Sequence, residues 1–165
     1  MRPRVIRVAR EWFGLPDDPR LALQCGDGAL ALAASPERYD LLLVDAYTDD
    51  GMSREVDGTS FFRACRDHLG PGGVLAINLW GSQRRRFEAS LKALRDAFDG
   101  HALVLPVQGK GNTVVLGFTE AVPRRRLKAL RARARELETP LELPLSTHLR
   151  DLRRHNGGPF RRLFG

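Results

Sequence analysis

Three carboxylates gather just beyond a short apolar run. Leu41-Leu42-Leu43-Val44 is unbroken and apolar, as expected of a strand buried on both faces of a parallel sheet. Asp45 follows at once, and Tyr47, Asp49 and Asp50 stand close behind it. In an open α/β sheet ligands sit at the carboxyl ends of the strands. Acids at that point therefore suit charge holding and proton transfer better than a solvated turn. A further acid, Asp27, lies between Gly26 and Gly28 where an earlier apolar segment ends. Taken alone, it reads as a turn residue or a helix N-cap. No glycine-rich phosphate or nucleotide loop precedes these acids, so the sequence presents an active-site half without its cofactor-cradling half.

The elements that must position these residues alternate helix and strand. Val5, Ile6, Val8, Ala9, Trp12 and Phe13 predict a helical apolar face, broken by Gly14-Leu15-Pro16-Asp17-Asp18-Pro19. A strand is expected over 21–25, a short helix over 29–34 and the next strand over 41–44. The stretch 49–58 reads as a polar, glycine-containing loop. A helix over 59–69 leads into Gly70-Pro71-Gly72-Gly73 and a strand over 74–79. The spacing of Phe87, Leu91, Leu94 and Phe98 predicts an amphipathic helix over 84–98. Strands over 103–107 and 113–118 are joined by too few residues for a helical crossover, which predicts an antiparallel hairpin. A basic helix over 123–138 and a looser segment complete the chain.

Composition fits one ordinary globular protein of 165 residues. No run approaches the roughly 18 apolar residues of a membrane span, and the N-terminus carries no secretory h-region. Cys25 and Cys65 have neither metal spacing nor the density of a disulfide scaffold, and both read as buried free thiols in a reducing cytosol. His68, His101, His148 and His155 show no metal-ligand spacing, so surface or capping roles are expected and no metal site is assigned. Charge is uneven. Residues 1–119 hold 15 Lys/Arg against 15 Asp/Glu, whereas residues 120–165 hold 12 against 5, so the formal +7 lies in the tail.

Several ordered segments carry a resemblance. A strand followed by Gly26-Asp27-Gly28 and a helix, then Arg38-Tyr39-Asp40-Leu41-Leu42-Leu43-Val44-Asp45, then Leu69-Gly70-Pro71-Gly72-Gly73-Val74-Leu75, resembles the polyamine aminopropyltransferase (spermidine synthase) family. The opening Pro3-Arg4-Val5-Ile6-Arg7-Val8-Ala9-Arg10 and Leu15-Pro16-Asp17-Asp18-Pro19-Arg20-Leu21 are similar to that family's segments just after its second strand. A Gly-Pro-Gly-Gly turn alone is shared by many methyltransferase-like folds; the ordered set, from about Pro3 to Phe118, is far more specific.

The resemblance implies a Rossmann-like (class I methyltransferase-like), mostly parallel sheet flanked by helices. Residues 1–119 would form it, and residues 120–165 would be a basic helical tail packed on it or extending from it. It implies decarboxylated S-adenosylmethionine as co-substrate and a polyamine such as putrescine as acceptor, with Asp27, Gly26, Gly28 and Asp45 on the cofactor side. Asp49 matches the catalytic acid, with Asp45 beginning the acidic loop; Tyr47 and Asp50 would line the amine pocket. The sulfonium is already a good leaving group, so such a site chiefly positions an amine, holds its distal ammonium and takes a proton. The sequence departs from the pattern in two ways. Asp45-Ala46-Tyr47-Thr48-Asp49-Asp50-Gly51 has one residue more than the common Asp-x-x-Asp-Pro and lacks its proline. The family's first glycine-rich loop, ribose-holding acid and first two strands would lie upstream of Met1, with its small N-terminal β-domain. Two accounts follow: a start set late within a longer protein, or a relative that keeps the scaffold without the chemistry.

Plainer readings stand beside these. Asp50 and Asp57 read as solvated loop acids, Trp12 and Phe13 as core, and Trp80 as either core or a ring at the site edge. In the tail, Leu127, Leu130, Ala134, Leu137 and Leu141 form a stripe expected to dock on the domain, leaving the arginines in water. The alternative functions are an S-adenosylmethionine-dependent methyltransferase-like protein and a non-catalytic module whose basic tail binds RNA or an acidic partner. Nucleic acid ranks below the solvated-face reading because aromatics are nearly absent there. No membrane partner is expected, the cytoplasm is the expected compartment, and self-association would cover sheet edges left by absent strands.

Overall fold

The computed structural model describes residues 3–48, 51–52, 58–80, 83–107, 109–120 and 127–164. The chain divides into two compact units, Met1–Pro36 and Glu37–Gly165. Among the described residues no helix is long and apolar enough to cross a membrane.

The first unit holds α1 (Pro3–Trp12) and α2 (Gly28–Ala34). Proline suits the first turn of α1 because its missing N–H has no helical partner there. Gly14, at φ +66°, turns the chain out, and the Leu15 N–H closes back on the Ala9 carbonyl at 3.0 Å. The expected helix is therefore present, but its apolar face is not core: Trp12 is 78% and Phe13 80% exposed. The segment 21–25 is not a strand. Its apolar residues favour extended backbone, but among the described residues none supplies a ladder of hydrogen bonds beside it. Cys25, expected to be buried, is exposed for the same reason.

The second unit is built on a four-stranded sheet of β1 (Tyr39–Val44), β4 (Leu69–Trp80), β5 (Ala102–Pro106) and β6 (Asn112–Phe118), in the order β1-β4-β6-β5. β1 runs parallel to β4, and the β5–β6 hairpin adds antiparallel strands, so the sheet is mixed rather than mostly parallel. The short connection over 107–111 dictates this, since it cannot hold a crossover helix. β2 (Tyr47–Thr48) and β3 (Gly51–Met52) pair separately as a two-stranded antiparallel ladder within the expected loop. One sheet face is closed by α3 (Thr59–Asp67), packed on β4, and α4 (Arg84–Ala97), packed on β6. Leu75, Ile77 and Leu79 of β4 are buried there, as are Phe62, Cys65, Leu94 and Phe98. Arg66 ties the two helices, donating to the Ala97 carbonyl at 2.7 Å and to Asp99 at 2.5 Å. That guanidinium holds the Asp99 carboxyl below its ordinary range.

The Gly-Pro-Gly-Gly turn lies within β4. Register jumps from Tyr39↔Leu69 to Leu41↔Val74, so the four residues between loop out of the ladder. Thr119 holds the loop, its hydroxyl donating to the Gly70 and Gly73 carbonyls at 3.1 and 3.3 Å. Gly72 has φ +72°, and a Cβ on Gly73 would lie 2.8 Å from the Gly70 carbonyl oxygen and 2.9 Å from the Leu69 Cβ. The motif thus has a local steric cause.

The tail is more ordered than its sequence suggests. α5 (Leu127–Leu141) is followed by α6 (Leu145–Phe164), a helix kinked at Gly157 where a looser segment was expected. Part of the basic stretch, 121–126, lies outside the described residues. α6, not α5, packs on β5, and α5 packs on α6. Leu149 and Leu152 of α6 meet Leu103, Leu116 and Phe118 on the sheet face opposite α3 and α4. Asn156, which is buried, completes the contact. Its Oδ1 accepts the Val104 N–H at 2.7 Å, and its Nδ2 donates to the Val104 and Leu152 carbonyls, both at 2.7 Å. One side chain therefore does for the outer edge of β5 what a neighbouring strand would do.

Three outcomes follow. Gly73→Ala should lower stability by about 1–3 kcal/mol through the forced clash, read as a fall in melting temperature. Asn156→Ala should cost about 2–3 kcal/mol by stranding the Val104 groups, and an unchanged melt would refute the edge-sealing role. Burial pushes the Cys65 thiol up to about 12. A disulfide reagent near neutral pH should therefore titrate Cys25 at once and Cys65 only on unfolding. Because the unfolded thiol ionises near 9.0 and the folded one near 12, the Cys65 contribution to stability is complete below about pH 9 and is lost as pH rises towards 12.

Candidate functional site

The acid at the end of β1 takes its place from the sheet. Val44 pairs with Ile77, so Asp45 and Asn78 follow side by side on the face opposite the buried Ile77. On the next strand Asn112 is paired with Trp80, and its side chain leans back towards Asn78. The Asn112 Nδ2 donates to the Asn78 Oδ1 at 3.1 Å, and the Asn78 Nδ2 donates to the Asp45 Oδ1 at 3.1 Å. Asp45, Asn78 and Asn112 thus form a polar row across three strands. By accepting from Asn112, the Asn78 amide is oriented so that its NH₂ faces the carboxylate.

A cavity of about 440 Å³ opens along this row. Leu43, Ala76 and Val114 line its apolar floor, and Asp45, Asn78, Asn112 and Lys110 supply its polar groups. It lies at the carboxyl ends of β1 and β4, where open α/β sheets bind ligands. Leu43 is 74% exposed, so this side of β1 is far from the doubly buried strand that the apolar run predicts. One carboxylate and one ammonium in a half-apolar cleft can hold a cationic group and an anionic group of a single small ligand.

The remaining expected residues are distributed as follows. Tyr47 opens β2, and Thr48 pairs with Gly51. Asp49 and Asp50, between them in the chain, lie outside the described residues, as does Asp57. Asp27, in the first unit, is the N-cap of α2: its Oδ1 accepts the Leu30 N–H at 2.9 Å and its carbonyl accepts that of Ala31 at 2.9 Å. This is the plainer of its two readings, and it leaves other carboxylate lone pairs for a ligand. A Cβ on Gly26 or Gly28 would meet nothing within 4 Å, so neither glycine is required by crowding. Trp80 is exposed at the end of β4, not core. Asn78, Asn112 and Lys110 were not singled out from the sequence. The available signal was an asparagine at an otherwise apolar strand position, in Leu75-Ala76-Ile77-Asn78-Leu79.

Comparison with known proteins agrees with these motifs. A polyamine aminopropyltransferase of Neisseria meningitidis is 27% identical over 157 residues, covering 94% of this chain and 59% of its own. One from Chromobacterium violaceum is 29% identical over 157 residues, covering 94% and 60%. Over almost all of its own length the chain is similar to these polyamine aminopropyltransferases. It spans about three fifths of the length of these curated relatives. Among solved structures, a spermidine synthase in complex with the transition-state analogue AdoDATO superposes with a TM-score of 0.67 at 16% identity, covering 92% of this chain and 53% of that one. Human methyltransferase-like protein 13 in complex with SAH gives 0.76 at 24%, covering 87% and 69%. These likenesses give the Rossmann-like fold. No protein-family model matches the chain.

The asparagine row makes a specific demand. Asn112→Asp replaces a donor by an acceptor facing the Asn78 carbonyl, so Asn78 must flip or turn away and then present oxygen to Asp45. The Asn78 side-chain amide signals should then shift in proton–nitrogen NMR as the bond to Asp45 is lost, whereas Asn112→Ser, which keeps a donor, should move them less.

Proposed function

We propose that the chain carries the amine side of an aminopropyltransferase site, in which Asp45 holds a cationic group of the ligand. The observation that carries the reading is Asp45 itself, at a strand end in a cleft and oriented through Asn78 by a row of amides. In the proposed reaction the sulfonium of decarboxylated S-adenosylmethionine is attacked at its aminopropyl carbon by a neutral amine of a polyamine such as putrescine. The new C–N bond forms as the C–S bond breaks, methylthioadenosine leaves, and the proton on the attacking nitrogen passes to a base. Asp49 is the proposed base; Tyr47 and Asp50 complete the amine pocket, and Asp27, with Gly26 and Gly28, meets the adenine. The relatives' names, polyamine aminopropyltransferases, support the substrate class.

One observation favours a second reading. Lys110 lines the same cavity as Asp45. An ammonium there costs binding energy for a polycation, but suits the carboxylate that S-adenosylmethionine retains and its decarboxylated form lacks. Methyl transfer would use the same fold with the opposite preference for co-substrate.

Transfer of radiolabel from each co-substrate to putrescine distinguishes the readings. Under the first, product forms from decarboxylated S-adenosylmethionine, Asp49→Asn lowers the rate by about a hundredfold and Asp57→Asn leaves it near the parent. Equal rates for Asp49→Asn and the parent would remove Asp49 from the mechanism. Under the second, only S-adenosylmethionine binds in calorimetry, and Lys110→Met weakens it by about tenfold.

A further inference from the structure

A second cleft lies between α5 and α6, well away in the chain from the site above. Its volume is about 200 Å³, and it is lined by Arg131, Arg135, Ser146, Leu149, Arg150 and Arg153. Two arginines come from each helix, spaced i,i+4 on α5 and i,i+3 on α6. Each pair therefore shares a helix face, and the two faces meet across the cleft. No carboxylate lines it. Among the described residues no ion pair engages any of the four, although nearby Arg133 is paired with Glu136. Among the described residues Arg150 donates only to the Thr147 hydroxyl, at 3.3 Å. Of the nearby acids, Glu136 is paired with Arg133, Glu138 Oε1 accepts the Ser146 N–H at 2.8 Å, and Asp151 is buried and does not line the cleft.

Four like charges drawn together by helix packing are unfavourable unless an anion joins them. All four are exposed, yet they line one cleft, and the α5 stripe needs only its apolar residues to dock on α6. The side chain is also the informative one: the guanidinium fork matches phosphate oxygens bidentately, which a lysine ammonium cannot do. We infer that the α5–α6 cleft is a phosphate-binding site, taking a phosphate or diphosphate group between Arg131, Arg135, Arg150 and Arg153, with the Ser146 hydroxyl as a further donor. The volume is below the roughly 300 Å³ at which pockets for whole drug-sized ligands begin, so the group bound is the anion and not the body that carries it. That group has two sources, a free phosphorylated metabolite or the backbone of a single-stranded nucleic acid. The aromatics that would stack bases do not line the cleft.

Calorimetry on the full chain with inorganic pyrophosphate tests the site, with a short oligouridylate as the second arm. Arg131→Gln and Arg153→Gln remove one fork from each helix. Arg84→Gln, at the exposed start of α4 and remote in sequence, removes the same charge elsewhere. Pyrophosphate should bind once per chain, and each cleft variant should weaken it by about tenfold while Arg84→Gln does not. Circular dichroism melts confirm that the variants fold. Oligouridylate binding tighter than pyrophosphate, and weakened by the same two variants, assigns the phosphate to a nucleic acid. Equal or weaker binding assigns it to a small phosphorylated ligand. Absence of pyrophosphate binding, or equal weakening by all three substitutions, overturns the proposal, because the arginines are then only a diffuse basic surface.

Discussion

The register of β4 is the constraint on which the rest of the second unit depends. Leu75, Ile77 and Leu79 are fully or almost fully buried against the α3 and α4 side. At about 1.5–3 kcal/mol per buried aliphatic side chain, a slip of one residue would cost about 5–9 kcal/mol, comparable to the net stability of many domains. With those positions fixed inward, the alternation of the strand forces Ala76 and Asn78 to the other face. Parallel pairing then sets Asp45 beside Asn78, and antiparallel pairing brings in Asn112. The polar row of the candidate site is therefore a by-product of the apolar core. No separate device is needed to aim it.

The opposite face is closed unevenly, and this decides where a ligand has room. α6 covers β5 and β6 through Leu149 and Leu152, and Asn156 seals the β5 edge with hydrogen bonds that a strand would otherwise make. Over β1 and β4 the same face remains open enough for Leu41 and Leu43 to be exposed and for the 440 Å³ cavity to form. A buried amide that satisfies both polar groups of Val104 works only in one position along β5, so it fixes α6 in translation as well as in contact. That placement in turn presents Arg150 and Arg153 to α5.

Legibility in the sequence followed how local the cause was. The strands over 41–44, 74–79 and 113–118 were readable because an apolar run or a period of two records burial directly. The hairpin was readable because its connection is short. Gly73 was readable as a motif, although only the 2.8 Å approach to the Gly70 carbonyl explains it. The segment 21–25 misled because strand propensity says nothing about whether a partner strand is present. α6 misled in the opposite sense. The glycines signal a break, and the backbone does leave helical geometry at Gly157, yet the helix before it is anchored from outside by Asn156, a tertiary contact 52 residues from its partner. The position of Asp45 at a strand end, where it lines the cleft, was legible. Asn78, Asn112 and Lys110 were not, because their roles arise only when strands distant in sequence are laid side by side.

The separation of charge along the chain bears on how such a site could take a cation at all. A protein of formal charge +7 repels polyamines at long range, and a cleft in the middle of that field would start at a disadvantage. Yet the segment that supplies the β1–β6 sheet is charge-balanced, and the excess lies in residues 120–165. At physiological ionic strength the field of those tail arginines is largely screened beyond about 8 Å. What a ligand meets on entering the cleft is then set by the charges that line it, Asp45 and Lys110, and by the dipoles of two oriented amides. If a phosphate occupies the α5–α6 cleft, it offsets the tail charge locally and lowers the remaining long-range repulsion. Because the two clefts share no lining residue and the field between them is largely screened, each is expected to meet its ligand almost independently of the other.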